Sequence, residues 1–160
     1  MDYNRERAIA YAHKWAMGRN PKYLNFDGIG GDCTNFASQC LYAGSGVMNY
    51  TVDTGWYYNT ADDRAAAWSG VEYLHRFLVN NKSEGPYATE LPLDFVQLGD
   101  IIQLCFDGET FGHSLYVVKV KPEILVAQHS TGANFDDRPF STYRYESARL
   151  LHIVGVNSPH

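Results

Sequence analysis

Gly30-Gly31-Asp32-Cys33-Thr34-Asn35-Phe36-Ala37-Ser38-Gln39 is the stretch on which the fold turns. A glycine-rich loop here gives way to helical spacing, with Phe36, Ala37, Cys40 and Leu41 recurring around polar Asn35, Ser38 and Gln39. Cys33 therefore stands at a helix N-terminus. The positive end of the backbone dipole and the unpaired N–H groups there favour thiolate over thiol, whose unperturbed pKa is about 8.5. The same N–H groups can receive the oxyanion formed when sulfur attacks a carbonyl. One short segment thus predicts both a nucleophile and half of an oxyanion hole.

Outward from this segment, residues 4–18 predict an amphipathic helix with Asn4 as N-cap and Ile9, Ala12, Trp15 and Ala16 as its apolar stripe. Residues 19–32 form a loop, and the cysteine helix runs over 33–43, stopping before Gly44-Ser45-Gly46. A tyrosine-rich connection over 45–63 holds Trp56, Tyr57 and Tyr58, for which core or loop packing is the favoured role, as it is for Trp68. A second amphipathic helix is predicted at about 63–79, with Ala67, Val71, Leu74 and Leu78 on one face and Asp62 or Asp63 as cap. After residue 85 the texture changes to strands: Ile101–Phe106, Gly112–Val120, Ile124–His129 and Leu150–Val156. Asp107-Gly108 and Lys121-Pro122-Glu123 turn the first three into an antiparallel meander. Helices first and strands afterwards argue an α+β fold in a single domain over 1–160.

The 160 residues suffice for one full core, and 45% hydrophobic with 14% aromatic content fits a packed globule. Net charge is −5 with no basic block, which argues against a nucleic-acid partner. No apolar run approaches the roughly 20 residues that span a bilayer. Met1 to Arg7 carries no hydrophobic core of a signal peptide. The expectation is a cytoplasmic protein or an exported one whose signal has been removed. Nothing marks the oligomeric state.

Three cysteines leave at least one unpaired, and there is no CxxC. Cys40 and Cys105 lie among apolar neighbours and read as core. Cys33 needs a base and a group to orient that base. His113 opens one strand and His129 ends the next; across an antiparallel turn the two would meet at one sheet end. The pattern predicts a Cys33–His113–His129 relay. His13, His75, His152 and His160 are explained by helix faces, the last strand and the tail. A metal centre is disfavoured, because no third ligand has suitable spacing, and the chemistry needs no organic cofactor. Asp32 reads as the helix cap, Thr34 and Asn35 as satisfying helix-end N–H groups, and Asp100 as a turn residue.

Three separated elements, Asp32-Cys33-Thr34-Asn35-Phe36, Leu98-Gly99-Asp100-Ile101-Ile102 and Gly112-His113-Ser114-Leu115-Tyr116-Val117, resemble the NlpC/P60 branch of papain-like cysteine peptidases. Over roughly residues 3–156 the chain resembles more closely the bacterial putative amidase domain family. The two resemblances imply a permuted papain-like α+β fold and amide-bond hydrolysis with Cys33 and His113 as the dyad, and the likeness to the NlpC/P60 group implies cell-wall peptide or a peptidoglycan-like molecule as substrate. The third position falls on His129, or else on Asn134, Asp136 or Asp137 in the loop that follows. A silent papain-fold binding module and a cysteine acyltransferase or effector remain open as rival readings.

Overall fold

The computed structural model describes residues 2–130 and 133–159; His160 lies outside them. Asn4 caps the first helix, α1 (Arg5–Trp15), its Oδ1 accepting from the Arg7 N–H at 2.9 Å. The cysteine helix, α2 (Cys33–Ser45), stops at Gly46, whose φ of 68° suits a residue without Cβ. The two helices approach closely at Gly44. A Cβ there would meet the Tyr3 ring at 2.5 Å and the Ala8 Cβ at 2.8 Å, so glycine is what lets α1 lie against α2.

The expected helix over 63–79 is two helices and part of a hairpin. Tyr58–Thr60 (β1) pairs with Asp63–Arg64 (β2), so Asp63 lies in a strand and caps nothing. Ala66–Ser69 (α3) then breaks at Gly70, extended at φ −111° and ψ 129°, before Val71–Asn80 (α4) begins. Glycine mid-helix carries an entropic cost, and a Cβ at Gly70 would sit 2.8 Å from the Tyr73 ring. The apolar periodicity runs across the break because both pieces bury the same side.

Six antiparallel strands form the sheet: β3 (Gly85–Leu91), β4 (Ile101–Cys105), β5 (Phe111–Lys119), β6 (Leu125–Gln128), β7 (Phe135–Pro139) and β8 (Ser147–Asn157), in the order β3-β8-β4-β5-β6-β7. The meander β4-β5-β6 is the one its turns predict. The two strands absent from the sequence reading, β3 and β7, are the sheet's edges. Edge strands tolerate proline and paired charges, and Asp136-Asp137-Arg138-Pro139 disguises β7 as loop. The helices and Trp56, Trp68, Tyr116 and Leu151 fill one face of the sheet. Ile102, Leu104, Leu115, Val117, Val126 and Phe140 pack on the other. Trp56, Tyr58 and Trp68 are buried and Tyr57 half-buried, as their favoured packing role required.

Asp100 does more than turn the chain. Fully buried, it accepts from Arg5 Nη1 at 3.0 Å, His152 Nδ1 at 2.9 Å and the N–H groups of Ile153 (3.0 Å) and Gln97 (2.9 Å). Arg5 also donates to Leu98 O and Ile153 O, so α1 is pinned to the sheet through one carboxylate. His13 and His75, like His152, have acidic partners that spacing alone does not reveal: Asp136 at 2.9 Å and Glu90. Removing one member of a buried charged network strands the rest, at a cost of about 3–5 kcal/mol. Asp100→Ala is therefore expected to lower the free energy of unfolding by about that amount, read from the urea midpoint, and Asp100→Asn by less.

Candidate active site

Cys33 opens α2 and is partly exposed, whereas Cys40 and Cys105 are buried. The His113 ring and the Ser114 N–H lie close enough to its sulfur to act on its acidity, and the Thr34 hydroxyl is at 3.7 Å. The Thr34 hydroxyl also shares a hydrogen bond of 2.9 Å with Ser114 Oγ, tying the helix start to β5. These contacts shift two acidities. Burial pushes the Cys33 thiol up, but the His113 hydrogen bond and charge, the Ser114 N–H and Thr34 together bring it below its ordinary value. Burial lowers His113, but bonding and attraction to Cys33, aided by Gln128, carry it above the usual histidine range. The two shifts describe a pair that favours thiolate and imidazolium together.

His113 Nε2 is 3.0 Å from Gln128 Oε1. Gln128 cannot turn over, because its Nε2 donates to Ala133 O at 3.0 Å and its Oε1 also accepts from the Tyr143 hydroxyl. An amide oxygen fixed there makes Nε2 the protonated nitrogen of a neutral ring, leaving Nδ1 for the sulfur. The residue behind the imidazole is Gln128.

His129, expected in that place, does not reach His113. Its Nδ1 lies 2.7 Å from Asp32 Oδ2, its Nε2 donates to Trp15 O at 2.8 Å, and its ring stacks on Phe36 at 4.1 Å. A β-bulge explains the difference. Carried straight along the ladder from Lys119↔Leu125, the pairing would set His113 and His129 on one face. Between Val117 and Lys119, β5 carries one extra residue, so Val117 pairs with Val126 and Tyr116 with Ala127. The one-residue shift gives Gln128 the His113 face and sends His129 to the helix side. Asn134, Asp136 and Asp137 do not take the place either. Asp136 pairs with His13, Asp137 lies beside that pair, and Asn134 Oδ1 accepts from the Ser130 N–H at 3.3 Å.

Asp32 is not the cap its position suggests. Its side chain makes no capping bond to the helix it precedes. It accepts from the Phe26 N–H at 2.8 Å, Asn35 Nδ2 at 2.9 Å and His129 Nδ1, with Arg19 Nη1 at 3.7 Å. Burial would raise this carboxyl, yet His129 and the two N–H donors hold it below the ordinary range. Nor do Thr34 and Asn35 side chains satisfy helix-end N–H groups: Asn35 donates to Leu24 O and accepts from Trp68 Nε1. No described residue caps the first amides of α2, so those N–H groups stay open beside the sulfur.

Among the described residues, His13, Asp136 and Asp137 bring metal-type donor atoms within 4.8 Å of one another. His13 Nδ1 already lies 2.9 Å from Asp136 Oδ1 there. A cavity of about 560 Å³ lies between α4 and the segment 49–55, and neither Cys33, His113 nor Gln128 lines it.

The family described as Putative amidase domain matches residues 2–154. The chain belongs to that family. It is 32% identical over 119 residues to the "Uncharacterized protein YhbB" of Bacillus subtilis (strain 168). That match takes in 72% of this chain and 37% of the relative. No solved structure matches the chain at a significant level.

For this amidase-family chain the two acidity shifts set the direction of a titration. Iodoacetamide should alkylate Cys33 with a pH midpoint below the ordinary thiol value of about 8.5. His113→Ala should move the midpoint upward, because burial then acts on the thiol with its main opponent gone. Gln128→Leu should move it the same way by less. His129→Leu should lower stability by about 3–5 kcal/mol, the cost of stranding Asp32, and should move the midpoint only through the Asp32 charge it leaves uncompensated. A midpoint unmoved by Gln128→Leu would contradict this assignment.

Proposed function

We propose that the chain is a cysteine-dependent amidase or peptidase of permuted papain-like type that cleaves a C–N amide bond through a thioester. The observation that carries the reading is the placement of Cys33 at the start of α2, with no side-chain cap from Asp32, beside a His113 ring that acts on its acidity. In the proposed cycle Nδ1 of His113 holds the thiol proton and the thiolate attacks the amide carbon. The tetrahedral oxyanion sits against the open N–H groups of the helix start, where preorganised donors need no reorientation. His113 then gives its proton to the leaving nitrogen, releasing the amine and leaving an acyl-sulfur bond. Water, deprotonated by the same ring, splits that thioester to a free acid and restores the thiol. Gln128 keeps the ring in the required tautomer throughout. No step calls on a metal or organic cofactor.

A short peptide, of the kind found in peptidoglycan stems and cross-links, is the substrate class we infer. Its support is the resemblance of the Asp32-Cys33 and Gly112-His113 segments to the NlpC/P60 peptidases. The relative from Bacillus subtilis carries no assigned activity that would narrow this further.

Incubation of wild type and Cys33→Ala with purified muropeptides and with a general peptide library tests the claim. A new free acid should appear with wild type and fall by at least about 10³-fold in Cys33→Ala and His113→Ala. Mass spectrometry separates hydrolysis from transfer, since a transferase leaves a conjugate in place of the acid. Absence of any Cys33-dependent product from both sets, with Cys33 alkylated no faster than Cys40 and Cys105, would favour a binding module.

A further inference from the structure

Arg138 stands on edge strand β7 opposite Val126 of β6, two residues from Gln128 and therefore on the sheet face that Gln128 shares with His113. Its position is fixed. The guanidinium lies 3.9 Å over the Tyr143 ring and 4.4 Å over that of Phe135, while Nε and one Nη donate to Thr142 Oγ1 and O. The Tyr143 hydroxyl reaches Gln128 Oε1, which holds His113 at 3.0 Å, so the cation is two side chains from the imidazole. Its charge is felt there as one influence that disfavours the imidazolium, smaller than burial or Cys33.

No carboxylate neutralises Arg138 among the described residues, although two sit beside it in sequence. The register shift between Val126 and Gln128 sets Phe135 and Arg138 on the Gln128 side and turns Asp136 and Asp137 toward His13 on α1. Arg5, Arg19 and Arg149 have acidic partners in Asp100, Asp27 and Glu72, whereas Arg64, stacked on Phe26, is another ordered arginine without one among the described residues. Arg138 is held rigid on aromatic faces yet left without a counter-charge, in a chain of net charge −5. A guanidinium already ordered by stacking loses little freedom when it takes a carboxylate.

We propose that Arg138 is the carboxylate-binding residue of this site, so that the preferred substrate carries a free carboxylate near the amide that Cys33 attacks. The inference rests on the reading of Cys33 as nucleophile, and its test separates the two. Alkylation rates of Cys33 would be measured with iodoacetyl-glycine, iodoacetyl-β-alanine and iodoacetyl-γ-aminobutyric acid, each against its own primary carboxamide. The acid-to-amide rate ratio cancels any change in thiolate fraction and any general effect of a substitution. In wild type at least one spacer length should show a preference of about fivefold for the acid, weakening as salt is raised. Arg138→Gln should bring that ratio close to one, and Arg138→Lys should keep most of it. A wild-type ratio near one at every length, or a preference that survives Arg138→Gln, would overturn the proposal while leaving a fast Cys33 intact. Slow alkylation by all six reagents would instead remove the nucleophile, and this inference with it.

Discussion

The buried pair of Asp32 and His129 is the joint on which the site is built. Four separate parts of the chain converge on it: the loop at Phe26, the start of α2, the end of α1 through Trp15 O, and the end of β6. Each nitrogen of His129 faces an oxygen acceptor, and Oδ1 of Asp32 meets two further N–H donors, the Phe26 backbone and Asn35 Nδ2. A charge taken out of water is tolerable only when it is paired and hydrogen-bonded in this way. The consequence for chemistry is indirect and large. An aspartate at a helix start would ordinarily bond the helix's own amides. Held back by His129, it leaves them open, and its negative charge is compensated before it can oppose a thiolate one residue away.

The same economy appears along α2, a helix in which Thr34, Asn35, Ser38 and Gln39 are all buried. None is left unpaired. Thr34 meets Ser114, Asn35 meets Leu24 O and Trp68, Ser38 joins Trp68 O to Trp56 Nε1, and Gln39 Oε1 accepts from Tyr11 at 2.6 Å. A helix with an apolar stripe alone could rotate or slide against its neighbours at small cost. Polar side chains each matched to one partner fix both rotation and depth, because any slip leaves a buried group unsatisfied at about 1–3 kcal/mol. The Cys33 sulfur is placed by bonds made further along its own helix.

Much of this was legible in the chain itself. The helical spacing after Cys33, the capping by Asn4 and the turns that join β4, β5 and β6 are local signals, and each is realised where the residues put it. The break at Gly70 and the edge strands were not legible, because periodicity survives a kink and edge strands carry loop-like composition. The expectation of His129 behind His113 failed for a sharper reason. Side chains alternate faces every residue, so one uncounted bulge between Val117 and Lys119 reverses which of two neighbours meets His113. A bulge has no composition of its own here. A cue did exist in the strand Leu125-Val126-Ala127-Gln128, whose final glutamine is an unusual residue to bury, and Gln128 is buried.

A glutamine behind the imidazole also has a chemical consequence. A carboxylate there would stabilise the imidazolium by charge as well as by hydrogen bonding, and would draw His113 further from the pKa at which it can return its proton. The amide orients the ring without adding charge. The burden of favouring imidazolium then falls on the Cys33 thiolate. In the proposed cycle that thiolate would be present before attack and absent once the carbon–sulfur bond had formed, so the main support for the protonated ring would disappear as the proton was needed at the leaving nitrogen. On that proposal, a dyad completed by a neutral amide couples the basicity of its histidine to the progress of the reaction.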